Sequence, residues 1–169
     1  MGLHTLSIAD LDLDAVDGVN ALVFLDDEGF AWSRDLNKIV NLLRLRNIPC
    51  VVANTDRSYP VSDRAVSIAI GSIADMVERI TGRQFIKFGK PDAQMFIFAY
   101  EHTQRALEVG KENILMVGDT LTTDIIGGNK FGIDTALVLS GNTLREAALE
   151  QIHSTGIVPD YICESAVID

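Results

Sequence analysis

Apolar positions along the chain change period several times, and each change marks an element. Residues 1–18 scatter apolar side chains among acidic ones without a helical period, which predicts an irregular or short-strand opening segment. Ala21–Leu25 is a continuous apolar run stopped by Asp26-Asp27-Glu28-Gly29, the pattern of a strand buried on both faces that runs into a turn. Leu36, Ile39, Val40 and Leu43 then recur at helical spacing behind Ser33, a residue suited to the N-cap, and Pro49 follows the end. Cys50–Ala53 reads as a second buried strand, closed by the polar turn 54–60. Residues 61–71 are weakly patterned. Ile73, Met76, Val77 and Ile80 predict a helix that Gly82 stops, and Phe85–Phe88 a short strand. A long helix is expected from about Asp92 to Val109, with Pro91 in its first turn and Gly110 at its end. Ile114–Val117 is the clearest strand. A helix over 124–130, a strand at Thr135–Leu139, a helix opened by the capping pair Thr143 and Glu146, and a last strand at Tyr161–Cys163 complete the pattern. Strands alternating with helices predict an α/β fold, a Rossmann-like, largely parallel sheet with helices on both faces.

Composition narrows the function. The 169 residues are 47% hydrophobic and 22% charged, which is ordinary globular usage. Cys50 and Cys163 are far apart in no metal-ligand spacing and read as reduced, packed thiols. Twenty-four acidic against fourteen basic side chains give a net charge of −10, which disfavours a nucleic-acid partner because such affinity comes mainly from Lys and Arg neutralising phosphates. Residues 1–33 hold no Lys or Arg, so no signal or transit segment is expected, and no apolar run approaches the ~20 residues needed to span a bilayer. Met1-Gly2 lacks the Ser or Thr that myristoylation would need at position 6, which is Leu6. A cytoplasmic protein with no membrane partner is expected.

Ligands in parallel sheets sit at the carboxyl ends of the strands. Asp119 leaves the strand 114–117 at once, and Asp124 stands five residues on with Thr120, Thr122 and Thr123 between them. Two carboxylates on one loop suit a hard cation such as Mg²⁺, though Asp is equally favoured as a turn or N-cap residue. Lys90, between Gly89 and Pro91, can hold a phosphate as a point charge or lie solvated on the surface. His4, His102 and His153 share no metal-like spacing; Trp32 and the phenylalanines around Phe96 are assigned to the core or a buried interface.

These residues together resemble the haloacid dehalogenase-like (HAD) superfamily of phosphatases. The string from Ile114 to Thr143, an apolar strand followed by GDxxxxD and a glycine-bearing helix, is similar to its fourth motif, and FGKPDAQMF to its third. The pairing of GKP with VGDxLxTDI is most similar to subclass IIA, the capped phosphatases of sugar phosphates and small metabolites. The resemblance implies Mg²⁺ as cofactor, Asp119 as a metal ligand, Asp124 as a ligand through water or a support of the loop, and Lys90 as the residue that orients nucleophile and phosphoryl group. It implies phosphate-monoester hydrolysis of a phosphorylated small molecule.

The chain departs from that pattern in one respect. The family's first motif, D-x-D-G-[TV], does not occur in it. One reading takes LDDEG as a degenerate copy, with Asp26 as nucleophile, Glu28 as acid/base and Thr55 as the second-motif hydroxyl, giving a compact capless phosphatase. The other takes residues 1–85 as the carboxyl-terminal portion of a cap domain and 86–169 as that of the catalytic core. Under this second reading Asn54, Thr55, Asp56 and Tyr59 match the cap loop that selects substrate, the nucleophile is missing, and an exposed sheet edge invites self-association or a homo-oligomer. A non-catalytic binding module retaining the fold is the third possibility.

Overall fold

The computed structural model describes residues 2–62 and 65–167; Met1, Asp63, Arg64, Ile168 and Asp169, and with them the ends of the two expected domains, lie outside the described residues. Two short 3₁₀ turns, Ile8–Asp10 and Leu13–Ala15, precede β1 (Leu22–Phe24), α1 (Trp32–Leu45) and β2 (Cys50–Val52). A hairpin follows, β3 (Ser58–Ser62) with β4 (Ala65–Ile68), then α2 (Ile70–Thr81), β5 (Ile86–Lys87) and α3 (Ala93–Ala106). The remainder is β6 (Leu115–Gly118), α4 (Ile126–Phe131), β7 (Asp134–Val138), α5 (Arg145–Thr155) and β8 (Tyr161–Cys163).

The chain divides into two compact units, Met1–Arg57 with Ala69–Lys87, and Ser58–Ile68 with Phe88–Asp169. The first holds a parallel sheet in the order β1-β2-β5, and the second a parallel sheet in the order β6-β7-β8 together with the antiparallel hairpin. The fold is thus α/β, but its parallel strands form two short sheets instead of one, with the antiparallel hairpin as a third.

In the first unit, Ile39, Leu42 and Leu43 of α1 pack with Ile70, Ile73, Ala74 and Val77 of α2 over Phe24, Cys50 and Val52. Phe24 and Phe85 stack with ring centroids 5.5 Å apart. Each fully buried aliphatic side chain here contributes about 1.5–3 kcal/mol of transfer free energy. Ser33 does not cap α1. The N-cap position is Ala31, and Asp35 reaches back to accept its N–H at 2.8 Å while accepting the Arg34 guanidinium at 2.7 Å. Those two donors hold the Asp35 carboxyl below its ordinary value, Arg34 contributing most. Gly82 ends α2 in the left-handed conformation, as the sequence predicts.

In the second unit, Leu121, Ile125, Leu137 and Ile152 form the core. Phe96 of α3 and Phe131 of α4 pack at 5.8 Å. Asp92 caps α3 through the Gln94 N–H, so Pro91 precedes the helix instead of opening it, and the helix ends at Ala106, short of Gly110. Thr143 does not cap α5 either, which starts behind Leu144.

The strand at Ala21–Leu25, expected to be buried on both faces, is not, and the apolar strand β6 is likewise open on one side. Val23 of β1, and Leu115 and Val117 of β6, are each close to half exposed. Both strands are sheet edges, whereas β2 and β7, each central in its sheet, are buried along most of their length. Trp32 and Phe98 are exposed where Phe96 is buried, and of the two free thiols Cys50 is buried and Cys163 exposed. Among the described residues no helix is long and apolar enough to cross a membrane.

Candidate active site

The second unit gathers three of the sequence-predicted residues, Lys90, Asp119 and Asp124. After Gly118 the chain leaves β6 and winds through a single π-type turn, Leu121–Ile125, a form that recurs at functional sites. Thr120 C=O accepts the N–H of Asp124 at 2.9 Å and, more weakly, those of Thr123 and Ile125. This winding turns the Asp124 side chain back over the loop. There its Oδ2 accepts the N–H groups of Asp119 and Thr120, each at 3.1 Å, and its Oδ1 lies 2.8 Å from Lys90 Nζ. The Asp124 side chain is 3% exposed and that of Lys90 31%, so a nearly buried carboxylate is neutralised by an ammonium that still reaches solvent.

Asp119 is held from a second loop, the one that follows β7. Its Oδ2 accepts the Asn142 N–H at 2.9 Å, its Oδ1 accepts the Thr120 hydroxyl at 2.9 Å, and its backbone carbonyl accepts the Thr143 N–H at 3.0 Å. Two glycines make this possible, Gly118 of the GDxxxxD string and Gly141, which the sequence reading does not single out. A Cβ on Gly118 would occupy the space of the Asp124 carboxylate, and one on Gly141 that of the Asp119 carboxylate. Asn142 was likewise not foreseen, because nothing in its local sequence links it to a residue 23 positions earlier.

This donor set fits Mg²⁺. Among the described residues no three His, Cys, Asp or Glu side chains form a ready-made metal site. Mg²⁺ seldom needs one, since it is commonly bound by one or two carboxylates with substrate phosphate and water completing the octahedron. Asp119 Oδ1 accepts the Thr120 hydroxyl, Oδ2 accepts the Asn142 N–H, and both oxygens retain lone-pair capacity, whereas Asp124 is already engaged by two N–H groups and an ammonium. Two carboxylates against one ammonium leave one negative charge in excess at the loop.

The other candidates sit elsewhere. Asn54, Thr55 and Asp56 belong to the first unit, where Asn54 Oδ1 accepts the Asp56 N–H at 2.9 Å, an Asx turn. Tyr59 lies on β3 in the second unit, two-fifths exposed. Asp26 and Glu28 are exposed in the turn after β1, with Asp26 Oδ1 accepting the Asp27 N–H at 2.7 Å, so Asp26 acts there as a turn residue. An open recess of about 430 Å³ in the first unit, lined by Arg57, Ser72, Asp75, Met76, Arg79 and Ile80, contains none of the candidates.

The chain is similar to known proteins over most of its length. The HAD-hydrolase-like family model matches residues 87–166. Chronophin of Bos taurus is 34% identical over 168 residues, covering 97% of this chain and 54% of its own length. Among solved structures, a possible sugar phosphatase of the HAD superfamily from Cytophaga hutchinsonii is 61% identical with a TM-score of 0.86, covering 96% of this chain and 57% of that one. The p-nitrophenyl phosphatase of Archaeoglobus fulgidus is 27% identical with a TM-score of 0.64, over 86% of this chain and 53% of that one. The chain spans about half the length of the curated relatives it matches.

Proposed function

The chain belongs to the HAD-like hydrolase family, and from that premise we propose that it carries the metal- and lysine-bearing part of a subclass IIA, Mg²⁺-dependent phosphate-monoester hydrolase whose substrate is a phosphorylated sugar or similar small metabolite. The observation that carries the reading is the Lys90–Asp124 ion pair set beside an Asp119 carboxylate whose orientation two loops fix. Asp119 is the direct oxygen ligand and Asp124 the support that orients both Lys90 and the backbone of the loop. Bound there, Mg²⁺ supplies charge stabilisation to the transferring phosphoryl group. Lys90, anchored through Asp124, presents its ammonium to a phosphate oxygen and balances the charge that gathers in the site. Held from β6 and from the loop after β7, Asp119 needs no reorganisation to meet the cation.

The attacking carboxylate comes, in this reading, from a D-x-D-G-[TV] segment that these 169 residues do not contain. Residues 1–85 are then the carboxyl-terminal portion of the cap and 86–169 that of the core. The unit boundary between Lys87 and Phe88 supports this division, with the hairpin 58–68 counted in the second unit. Asn54, Thr55, Asp56 and Tyr59 select the substrate, and the protein works in the cytoplasm.

Backbone NMR during Mg²⁺ titration tests the site: resonances around Asp119 shift in the wild type and stay still in Asp119→Asn, and an equal response in both refutes the assignment. The isolated chain is expected not to hydrolyse a generic aryl phosphate. Supplying the missing segment restores turnover that needs Lys90 and Asp119 but not Asp26. Robust activity of the chain alone, lost in Asp26→Asn, would establish the compact reading instead.

A further inference from the structure

Asn142 makes more connections at the site than any role assigned so far requires. Its backbone N–H holds Asp119 Oδ2, its Nδ2 donates to Thr120 Oγ1 at 3.0 Å, and the same Nδ2 lies 3.4 Å from the Ser58 carbonyl at the start of the hairpin. The orientation of the amide is fixed by its neighbours. A carbonyl can only accept, so the nitrogen faces Ser58; the Thr120 hydroxyl is spent as donor to Asp119 Oδ1, so it too must accept from Asn142. Donation therefore runs one way, from Asn142 through Thr120 to Asp119. Asn142 Oδ1 is buried and has no hydrogen-bond partner among the described residues, so the side chain's hydrogen bonds there are those of its nitrogen.

We propose that Asn142 is a positioning residue that couples the carboxylate offered to the cation to the seating of the hairpin Ser58–Ile68. One amide nitrogen serves both, so whatever fixes Asp119 also favours the hairpin position that lets Ser58 accept, and the linkage is reciprocal. The inference rests on Asp119 as the Mg²⁺ ligand, but its hairpin arm can be read without metal.

The experiment uses this chain as wild type, Asn142→Ala, Asn142→Asp, Thr120→Val and Asp119→Asn. Mg²⁺ affinity is read by NMR titration and the hairpin by amide hydrogen exchange, each with and without Mg²⁺. Asn142→Ala is expected to bind Mg²⁺ about five- to tenfold more weakly, the size of one lost hydrogen bond, and to exchange faster over 58–62 and 65–68 even in the absence of metal. Asn142→Asp keeps the shape, replaces the donor by an acceptor, and should show the same two losses. Thr120→Val cuts the relay alone; it should weaken Mg²⁺ and leave metal-free hairpin exchange at the wild-type rate. In the wild type, Mg²⁺ should slow hairpin exchange, an effect that Asn142→Ala abolishes. Wild-type Mg²⁺ affinity and wild-type hairpin exchange in both Asn142 variants would overturn the proposal. A wild-type Mg²⁺ response in Asp119→Asn would instead overturn the metal assignment, while the metal-free exchange of the Asn142 variants would still decide the link to the hairpin.

Discussion

Lys90→Ala is the sharpest perturbation the structure offers. It leaves the Asp124 carboxylate, 3% exposed, with its two backbone donors on Oδ2 and without the ammonium 2.8 Å from Oδ1. Removing one partner of a fully buried pair costs about 3–5 kcal/mol, because an uncompensated charge stays behind. Lys90 is 31% exposed, and solvent already weakens the pair from its side. A loss of about 2–3 kcal/mol is therefore expected, below the fully buried figure and above the ~1 kcal/mol ceiling of an exposed pair. If desolvated charge is the cause, neutralising it should help. Asn at position 124 can still accept the two N–H groups, so Lys90→Ala with Asp124→Asn should recover about 1–2 kcal/mol relative to Lys90→Ala alone. Amide exchange at Ala136–Val138 in β7, followed through a urea series, reads the second unit directly; with a slope of about 1–3 kcal/mol/M the single variant lowers the midpoint by about 1 M. Stability within about 0.5 kcal/mol of wild type for Lys90→Ala, or a double variant no better than the single, would refute the reasoning.

Three further outcomes are expected. Gly141→Ala should fold but weaken Mg²⁺ binding at least tenfold by NMR titration, because its Cβ claims the space of the Asp119 carboxylate; unchanged affinity would count against the cradle. Asp35 has a carboxyl value lowered by Arg34 and the Ala31 N–H, so its contribution to the first unit is complete above the ordinary Asp value of about 4 and is lost as pH falls through the lower folded value; the stability gap between wild type and Asp35→Asn, followed by Trp32 fluorescence, should close below about pH 4 and stay constant above about pH 5. Leu115 and Val117 lie near half exposed on the edge strand β6, and light scattering should find the isolated chain self-associated, with substitution of both by Ser giving a monomer.

What the sequence made legible was whatever a local pattern determines. The apolar pattern places α1, α2 and the strand β6, Pro91 and Gly110 bracket α3, the GDxxxxD spacing marks Asp119 and Asp124, and the GKP string marks Lys90. Capping was less legible, because several polar residues compete for one N-terminus. Ser33 yields to Asp35, which reaches back a full turn, and the Thr143 N–H is drawn to the Asp119 carbonyl instead of to a capping box. The hairpin of β3 and β4 is not legible in the sequence because Pro60 and the serines at 58, 62 and 67 dilute its alternation, although Tyr59, Val61, Val66 and Ile68 retain it. Burial of β1 falls short of what its apolar run predicts for a related reason. An apolar run reports what a strand is built to cover, and an edge strand has one flank with nothing to cover it.

The electrostatic problem of the site is solved locally, against the sign of the whole chain. A net charge of −10 gives a phosphate monoester no general attraction to this surface. Asp124 spends its charge on Lys90 and two backbone N–H groups, which removes it from the field an arriving phosphate meets, and it leaves Asp119 as the carboxylate with lone pairs to offer. Thr120 and Asn142 then fix where those lone pairs point. The spacing of the two aspartates follows from this division of labour. With the two aspartates five positions apart, the π-type turn brings the second carboxylate back to the N–H groups of Asp119 and Thr120 and to Lys90.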